Sequence, residues 1–177
     1  MATTTTTTLL LLLLSSGVIS GELTDIKRTH IRFFFHNSIH RLVTTPANPI
    51  LQPVPMQTNS KLFGSIAVLD DPLTEGPDRT SKLVGRAQGV SVFSSRSAAE
   101  PATLMNVNLI FTGGKHNGST LVVLGRNAIH SEIRELPVIA GTGKFRLARG
   151  YAKVTTHSHN LTAGRAVVEY NVHVFHH

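Results

Sequence analysis

The stretch LVGRAQGVSVF, Leu83–Phe93, decides the fold. It sets glycines, an arginine and alternating apolar residues where a strand meets tight turns. The same pattern returns in GRNAIHSEIRELPV, Gly125–Val138, and in GTGKFRLARGYA, Gly141–Ala152. Alternation with period two is the mark of a half-buried strand.

Working outward, short apolar segments punctuated by turn residues run through the chain. Eight strands are predicted: Thr29–His36, Leu62–Leu69, Leu83–Ser94, Leu104–Thr112, Ser119–Gly125, Glu132–Ile139, Lys144–Thr156 and Ala166–Phe175. No segment keeps a helical period beyond a turn or two. Four prolines in Thr45–Ser60 predict an extended surface loop, and Asp70–Lys82 (DDPLTEGPDRTSK) reads as a polar turn. Gly113–Gly118 is a hairpin loop, Ala140–Gly143 a tight turn needing positive φ, and His157–Gly164 closes the last hairpin. Eight strands with short antiparallel links suggest a closed up-and-down β-barrel, large enough for one small ligand. A two-sheet sandwich is the alternative. In Thr29–His36, Ile31, Phe33 and Phe35 share one face; in Ala166–Phe175, Val168, Tyr170, Val172 and Val174 do.

The chain of 177 residues suits one domain. Charged residues are only 15%, yet the net charge is +7. The 17 Lys and Arg are scattered without a run or a basic helix, so nucleic acid is not an expected partner, whereas a polyanionic matrix is compatible. With no cysteine there is no disulfide, thiolate nucleophile or zinc–sulfur site. Leu9–Leu14 is too short for a membrane span of about 20 apolar residues and reads as the core of a secretory signal. Cleavage is placed after Ser20, although Met1–Thr8 carries no Lys or Arg. The expected organisation is a signal at 1–20, a flexible segment at 21–28 and the barrel at 29–177, secreted to the extracellular space.

No nucleotide or metal motif survives. Gly141-x-Gly143 lacks a third glycine and a following helix. His157-x-His159 has no fixed third ligand, and His176-His177, expected to be a plain chain end, calls for no metal. No serine sits in a nucleophile elbow. No cofactor or metal is therefore expected. Asn117-Gly118-Ser119 and Asn160-Leu161-Thr162 are glycosylation sequons on predicted loops.

The stretches FFFH, DDPLTEGP, SKLVGRAQG, FTGGKHNGST, GRN, RELPV, GTGKF, ARGYA and AVVEYNV, in this order from Thr29 to His177, resemble the dirigent family of plant secreted proteins. The resemblance implies an eight-stranded antiparallel barrel of the dirigent and allene oxide cyclase type. It also implies a homo-oligomer, dimer or trimer, in the apoplast. Such proteins have no oxidase activity of their own. A separate laccase or peroxidase makes phenoxy radicals from monolignols such as coniferyl alcohol, and the barrel fixes which faces couple to give an optically active lignan. GRN and the ending EYNVHVF resemble a second branch, the pterocarpan synthases, which close an isoflavanol ring with loss of water through a quinone methide. A third reading is a defence or cell-wall protein that binds phenolics without chemistry.

The resemblance implies site residues one at a time. Asn37 stands where the family usually has an aspartate, after His36. Asn127 stands where the lignan branch has a second acid and the other branch has asparagine. Arg134 is the arginine of the family's RE/RD motif, suited to a phenolate or quinone-methide oxygen. Ser91 and Phe93 fall at two pocket aromatics that follow GRAQG in some members, and Phe35 joins the pocket from the first strand. An amide cannot deliver a proton, so Asn37 puts any acid step at that position in doubt. Asp70 and Asp71 read as solvated turn acids, and Glu132 and Glu135 have no assigned place.

Overall fold

The computed structural model describes residues 26–38, 42–43, 60, 62–160 and 164–177. The expected signal at 1–20, most of the segment at 21–28 and most of the proline-rich loop lie outside these residues. Nine strands follow in order: β1 (Lys27–Ser38), β2 (Leu42–Val43), β3 (Ile66–Thr74), β4 (Leu83–Phe93), β5 (Ala102–Phe111), β6 (Thr120–Ala128), β7 (Ile133–Thr142), β8 (Arg149–Asn160) and β9 (Arg165–His176). The two-residue β2 only edges β3; the other eight form a closed antiparallel barrel in the order β1-β9-β8-β7-β6-β5-β4-β3, with β3 returning to β1. No helix among the described residues is long and apolar enough to cross a membrane.

The GRAQG stretch shows why glycine is needed in β4. A Cβ on Gly85 would lie 2.1 Å from the Ile110 carbonyl oxygen, and one on Gly89 would lie 2.1 Å from that of Asn106. Only a residue without a side chain lets β4 and β5 approach so closely where the wall curves. The closing seam is short. Phe34 pairs with Thr74 and Phe35 with Leu73. The Thr74 hydroxyl donates to the Gly76 carbonyl at 2.7 Å and so accepts from Nε2–H of buried His36, also at 2.7 Å.

The sequence reading errs at this seam. Asp70–Thr74 is strand, not turn. Strand character survives Pro72 because β3 has a full ladder only toward β4, so the missing N–H falls where pairing with β1 is sparse. Asp70 faces outward and is paired with Arg86 at 2.6 Å, whereas Asp71 faces inward and is 3% exposed. The turn expected at Ala140–Gly143 also moves: β7 runs through Thr142, and Gly143 alone supplies the positive φ, 62°, opening a 3-10 turn to Phe145.

Inward-facing residues fill one end. Phe145, fully buried, plugs it against Phe111 at 5.7 Å, His116 at 4.9 Å and His176 at 5.2 Å. Leu73, Leu109, Leu121, Val172 and Val174 complete this closed end. The opposite end, bounded by the β4–β5, β6–β7 and β8–β9 connections, is polar inside.

Candidate functional site

The polar end is assembled by register. Strand pairing puts Phe93, Thr103 and Asn127 side by side across β4, β5 and β6. The β6–β7 ladder stops at Val123–Val138, because Pro137 has no N–H to donate. Gly125 accommodates that proline: a Cβ there would lie 2.7 Å from Pro137 Cδ. Beyond the interruption, side chains join the strands instead. Arg134 on β7 donates from Nη1 to Asn127 Oδ1 at 3.3 Å and from Nη2 to Thr156 Oγ1 of β8 at 2.7 Å.

Arg134 is 7% exposed and has no carboxylate partner among the described residues, and its Nε is buried without a hydrogen bond. Burial holds its pKa below the ordinary value, but a guanidinium stays charged. A buried cation that lacks a counter-charge is costly, and it attracts any ligand oxygen that carries negative charge. Two more buried atoms are unsatisfied at this end, Thr103 Oγ1 and Asn37 Oδ1, while a fourth, His116 Nδ1, lies at the plugged end. Native interiors leave few such atoms, so three of the four among the described residues at one end make it the candidate ligand site.

On β1, extending the Phe35–Leu73 register by two residues sets Asn37 across from Asp71. The Ser38 N–H donates to Asp71 Oδ2 at 3.3 Å. A buried carboxyl group thus stands beside the Asn37 amide. Between these groups the wall is aromatic. Tyr170, 2% exposed, stacks on Phe33 at 5.4 Å, meets Phe35 edge-on at 5.9 Å, and directs its hydroxyl toward Met105 Sδ at 3.8 Å. Burial raises the pKa of its phenol, against the opposing pull of Arg134, so it is a neutral donor at physiological pH.

Phe35, Asn37, Ser91, Phe93, Asn127 and Arg134 all lie on the inward parity of their strands. Arg134 and Asn127 touch; Asn37 sits on a different wall of the lumen. Thr103, Thr156, Asp71 and Tyr170 were missed as site residues. Inward parity was the available signal for Tyr170, which shares a face with Val168 and Val172. Glu132 and Glu135 are exposed at or near the start of β7. Asn117 is exposed near the plugged end, beyond the barrel wall, and Asn160 ends β8 while Leu161 and Thr162 lie outside the described residues. No three His, Asp or Glu side chains converge as a metal site among the described residues.

Two clefts open on the outer rim of the polar end. One, of about 490 Å³, is lined by Ser94–Ser97, Ala102, Leu104 and Arg126; the other, of about 310 Å³, includes Glu100, Arg126 and His130. Neither reaches Arg134. Three of the four unsatisfied buried atoms among the described residues belong to inward-facing residues of the polar end, so the lumen and not the rim is the candidate site.

The closed barrel buries a guanidinium, an acid and a phenol, a polar lumen that makes this a candidate ligand-binding β-barrel. A family model described as dirigent-like protein matches residues 28–175, and the chain belongs to the dirigent family. It is 47% identical over 150 residues to Dirigent protein 1 of Arabidopsis thaliana, covering 85% of this chain and 80% of the relative. It is 44% identical over 154 residues to Pterocarpan synthase 1 of Glycyrrhiza echinata, covering 85% and 79%. A solved structure of a pterocarpan synthase dirigent protein superposes with a TM-score of 0.74 at 39% identity, covering 86% of this chain and 87% of that one.

Proposed function

We propose that the polar end of the lumen binds phenolic radicals and fixes the faces that couple, giving optically active lignans from two monolignol molecules. A separate extracellular laccase or peroxidase supplies the oxidation. The observation that carries this reading is the buried, carboxylate-free Arg134 with its unpaired Nε. Coupling joins two radicals in one C–C bond and leaves quinone-methide oxygens that gain negative charge when a hydroxyl adds to the conjugated carbon. Arg134 holds that oxygen, Tyr170, Phe35 and Phe93 hold the ring, and Ser91 and Thr103 supply polar contacts beside it. The energetic demand is small, since a tenfold preference needs about 1.4 kcal/mol, which orientation supplies.

The test is to incubate coniferyl alcohol with a laccase, with and without the protein, and resolve the products by chiral chromatography. One enantiomer in excess supports the reading. A racemate equal to the laccase-only control removes it.

Asp71 favours a second reading, ring closure of an isoflavanol. An acid there would protonate the leaving hydroxyl as its C–O bond breaks; water leaves, the phenol loses its proton, and a second hydroxyl adds to the resulting quinone methide. Asn37 cannot supply that proton; Asp71 across from it would supply it from its protonated form. Ring closure without an oxidant, abolished in Asp71→Asn, would establish this reading; no acceleration over buffer would remove it. If neither assay responds, a binding role in defence or the cell wall stands.

Secretion, glycosylation at Asn117 and Asn160, and homo-oligomerisation complete the proposal. Outward-facing Ile66, Val68, Val90, Val92, Leu104 and Leu124 adjoin one another across β3–β6, with Val68 65% and Leu104 46% exposed. An apolar patch on a barrel wall supports self-association.

A further inference from the structure

The wall away from that apolar patch is different in kind. Outward-facing residues of β1, β9 and β8 align in rows across the strands. The first row is Arg28, Phe175, Arg149; the second is His30, His173, Tyr151; the third is Arg32, Asn171, Lys153. Successive rows are about 7 Å apart, two residues of a strand.

The middle row is a stack. His30 and His173 are 4.4 Å apart and nearly parallel, at 9°, and Tyr151 follows at 5.1 Å from His173. Rings stacked along the cross-strand direction turn their edges to solvent. They therefore turn polar edges outward rather than open π-faces, and one of those edge atoms, His30 Nε2, is already bonded to Asn171 Oδ1 of the third row at 3.2 Å. The flanking rows are cationic. The Arg28 guanidinium lies over the Phe175 ring at 5.3 Å, and Arg32 lies over Phe34 at 5.0 Å, which fixes both charges against the wall. Glu169, the carboxylate of this wall, is held by Arg32 at 2.6 Å and by Asn171 at 3.1 Å. Arg28, Arg149 and Lys153 are exposed and have no carboxylate partner among the described residues. Glu135, beside Lys153 on β7, marks the edge of the patch.

We propose that this wall is a binding surface for a linear acidic polysaccharide of the polyuronate class, separate from the lumen. Two cationic rows flanking a row of hydrogen-bonding edges complement a chain that carries a carboxylate and several hydroxyls on each sugar. Single-stranded nucleic acid would call for open aromatic faces on which bases stack, and here the ring faces are spent on one another. Stable anchoring to an anionic membrane would call for an apolar face besides the charges. This wall exposes one large apolar side chain, Phe175 at 42%, and that ring lies beneath Arg28.

The experiment measures binding of the whole protein to polygalacturonate at low salt, beside its fully methyl-esterified form and double-stranded DNA. The expected result is binding to polygalacturonate that salt weakens, little binding to the neutral ester, and weaker binding to DNA. The triple change Arg28→Gln, Arg149→Gln, Lys153→Gln should weaken it about tenfold or more, three exposed charge contacts together being worth roughly 1.4 kcal/mol. The same loss of charge elsewhere, Lys82→Gln, Arg86→Gln, Arg126→Gln, should leave most of it. Circular dichroism and size-exclusion chromatography accompany both variants. No binding to polygalacturonate, equal binding to DNA, or equal losses in the two variants would overturn the proposal. So would a change of oligomeric state in the first variant with polyuronate binding intact, which would assign the wall to a second copy.

Discussion

Replacing Arg134 by methionine separates a ligand-holding cation from a structural one. The side chains are similar in reach, so no large cavity opens. The change removes hydrogen bonds to Asn127 Oδ1 and Thr156 Oγ1, each worth about 1.5–3 kcal/mol net when the donor is charged. It also removes a buried cation that no carboxylate compensates, a relief of about 1–4 kcal/mol in comparable cases. The two terms offset each other in large part, leaving a net loss of about 2 kcal/mol at their central values. Stability should therefore fall by about 2 kcal/mol, or a few degrees of Tm for a domain of this size. Product selectivity should collapse, because losing one preorganised electrostatic contact costs roughly 10²- to 10³-fold in the step it serves. The assays are thermal denaturation and chiral product analysis on the same preparation. An Arg134→Met protein that keeps full enantiomeric excess would refute the reasoning. One destabilised by more than about 4 kcal/mol would show the guanidinium to be structural instead.

Three other outcomes are expected. Gly89→Ala should cost about 3 kcal/mol or more or prevent folding, since its Cβ would sit 2.1 Å from the Asn106 carbonyl oxygen; a urea midpoint close to wild type would contradict the close-approach argument. Leu136→Ala, at a fully buried position beside the site, should cost about 2–5 kcal/mol by the same measurement. Burial, and then the Arg79 charge, lowers the pKa of His36, and burial lowers that of His116. The unfolded chain then binds more protons than the folded one below about pH 6.5, so stability falls as pH drops through that value. Urea titrations at pH 7.5 and 5.5 should show the loss, and it should be smaller in His36→Gln; an equal or greater loss there would exclude His36 as a contributor.

Much of the fold was legible because a strand's parity is written in its own residues. Ile31, Phe33, Phe35 and the set from Val168 to Val174 face inward as alternation requires. Closure was less legible, since it rests on pairing between β1 and β3. Asp70–Thr74 reads as a turn by composition, and only its register against β4 shows that Asp71 points in while Asp70 meets Arg86. Resemblance pointed to Asn37, Asn127 and Arg134; the structure sets all three on inward-facing positions and brings Arg134 and Asn127 into contact. Thr103 and Thr156 were not, because a threonine near a strand end carries no signal until its neighbours across the sheet are known. Nor does any local pattern tell that Pro137 interrupts the ladder just where Arg134 and Asn127 take over. The outer wall of β1, β9 and β8 was also hidden, its cations being scattered in sequence and joined only by register.

The most direct test is a crystal structure of the protein with a phenolic substrate or a non-reactive analogue bound. The account predicts a phenolic oxygen about 3 Å from the Arg134 guanidinium, inside the barrel and against Tyr170 and Phe35. A ligand seated in the rim cleft at Ser94–Ser97 and Arg126, with the lumen unchanged, would contradict it.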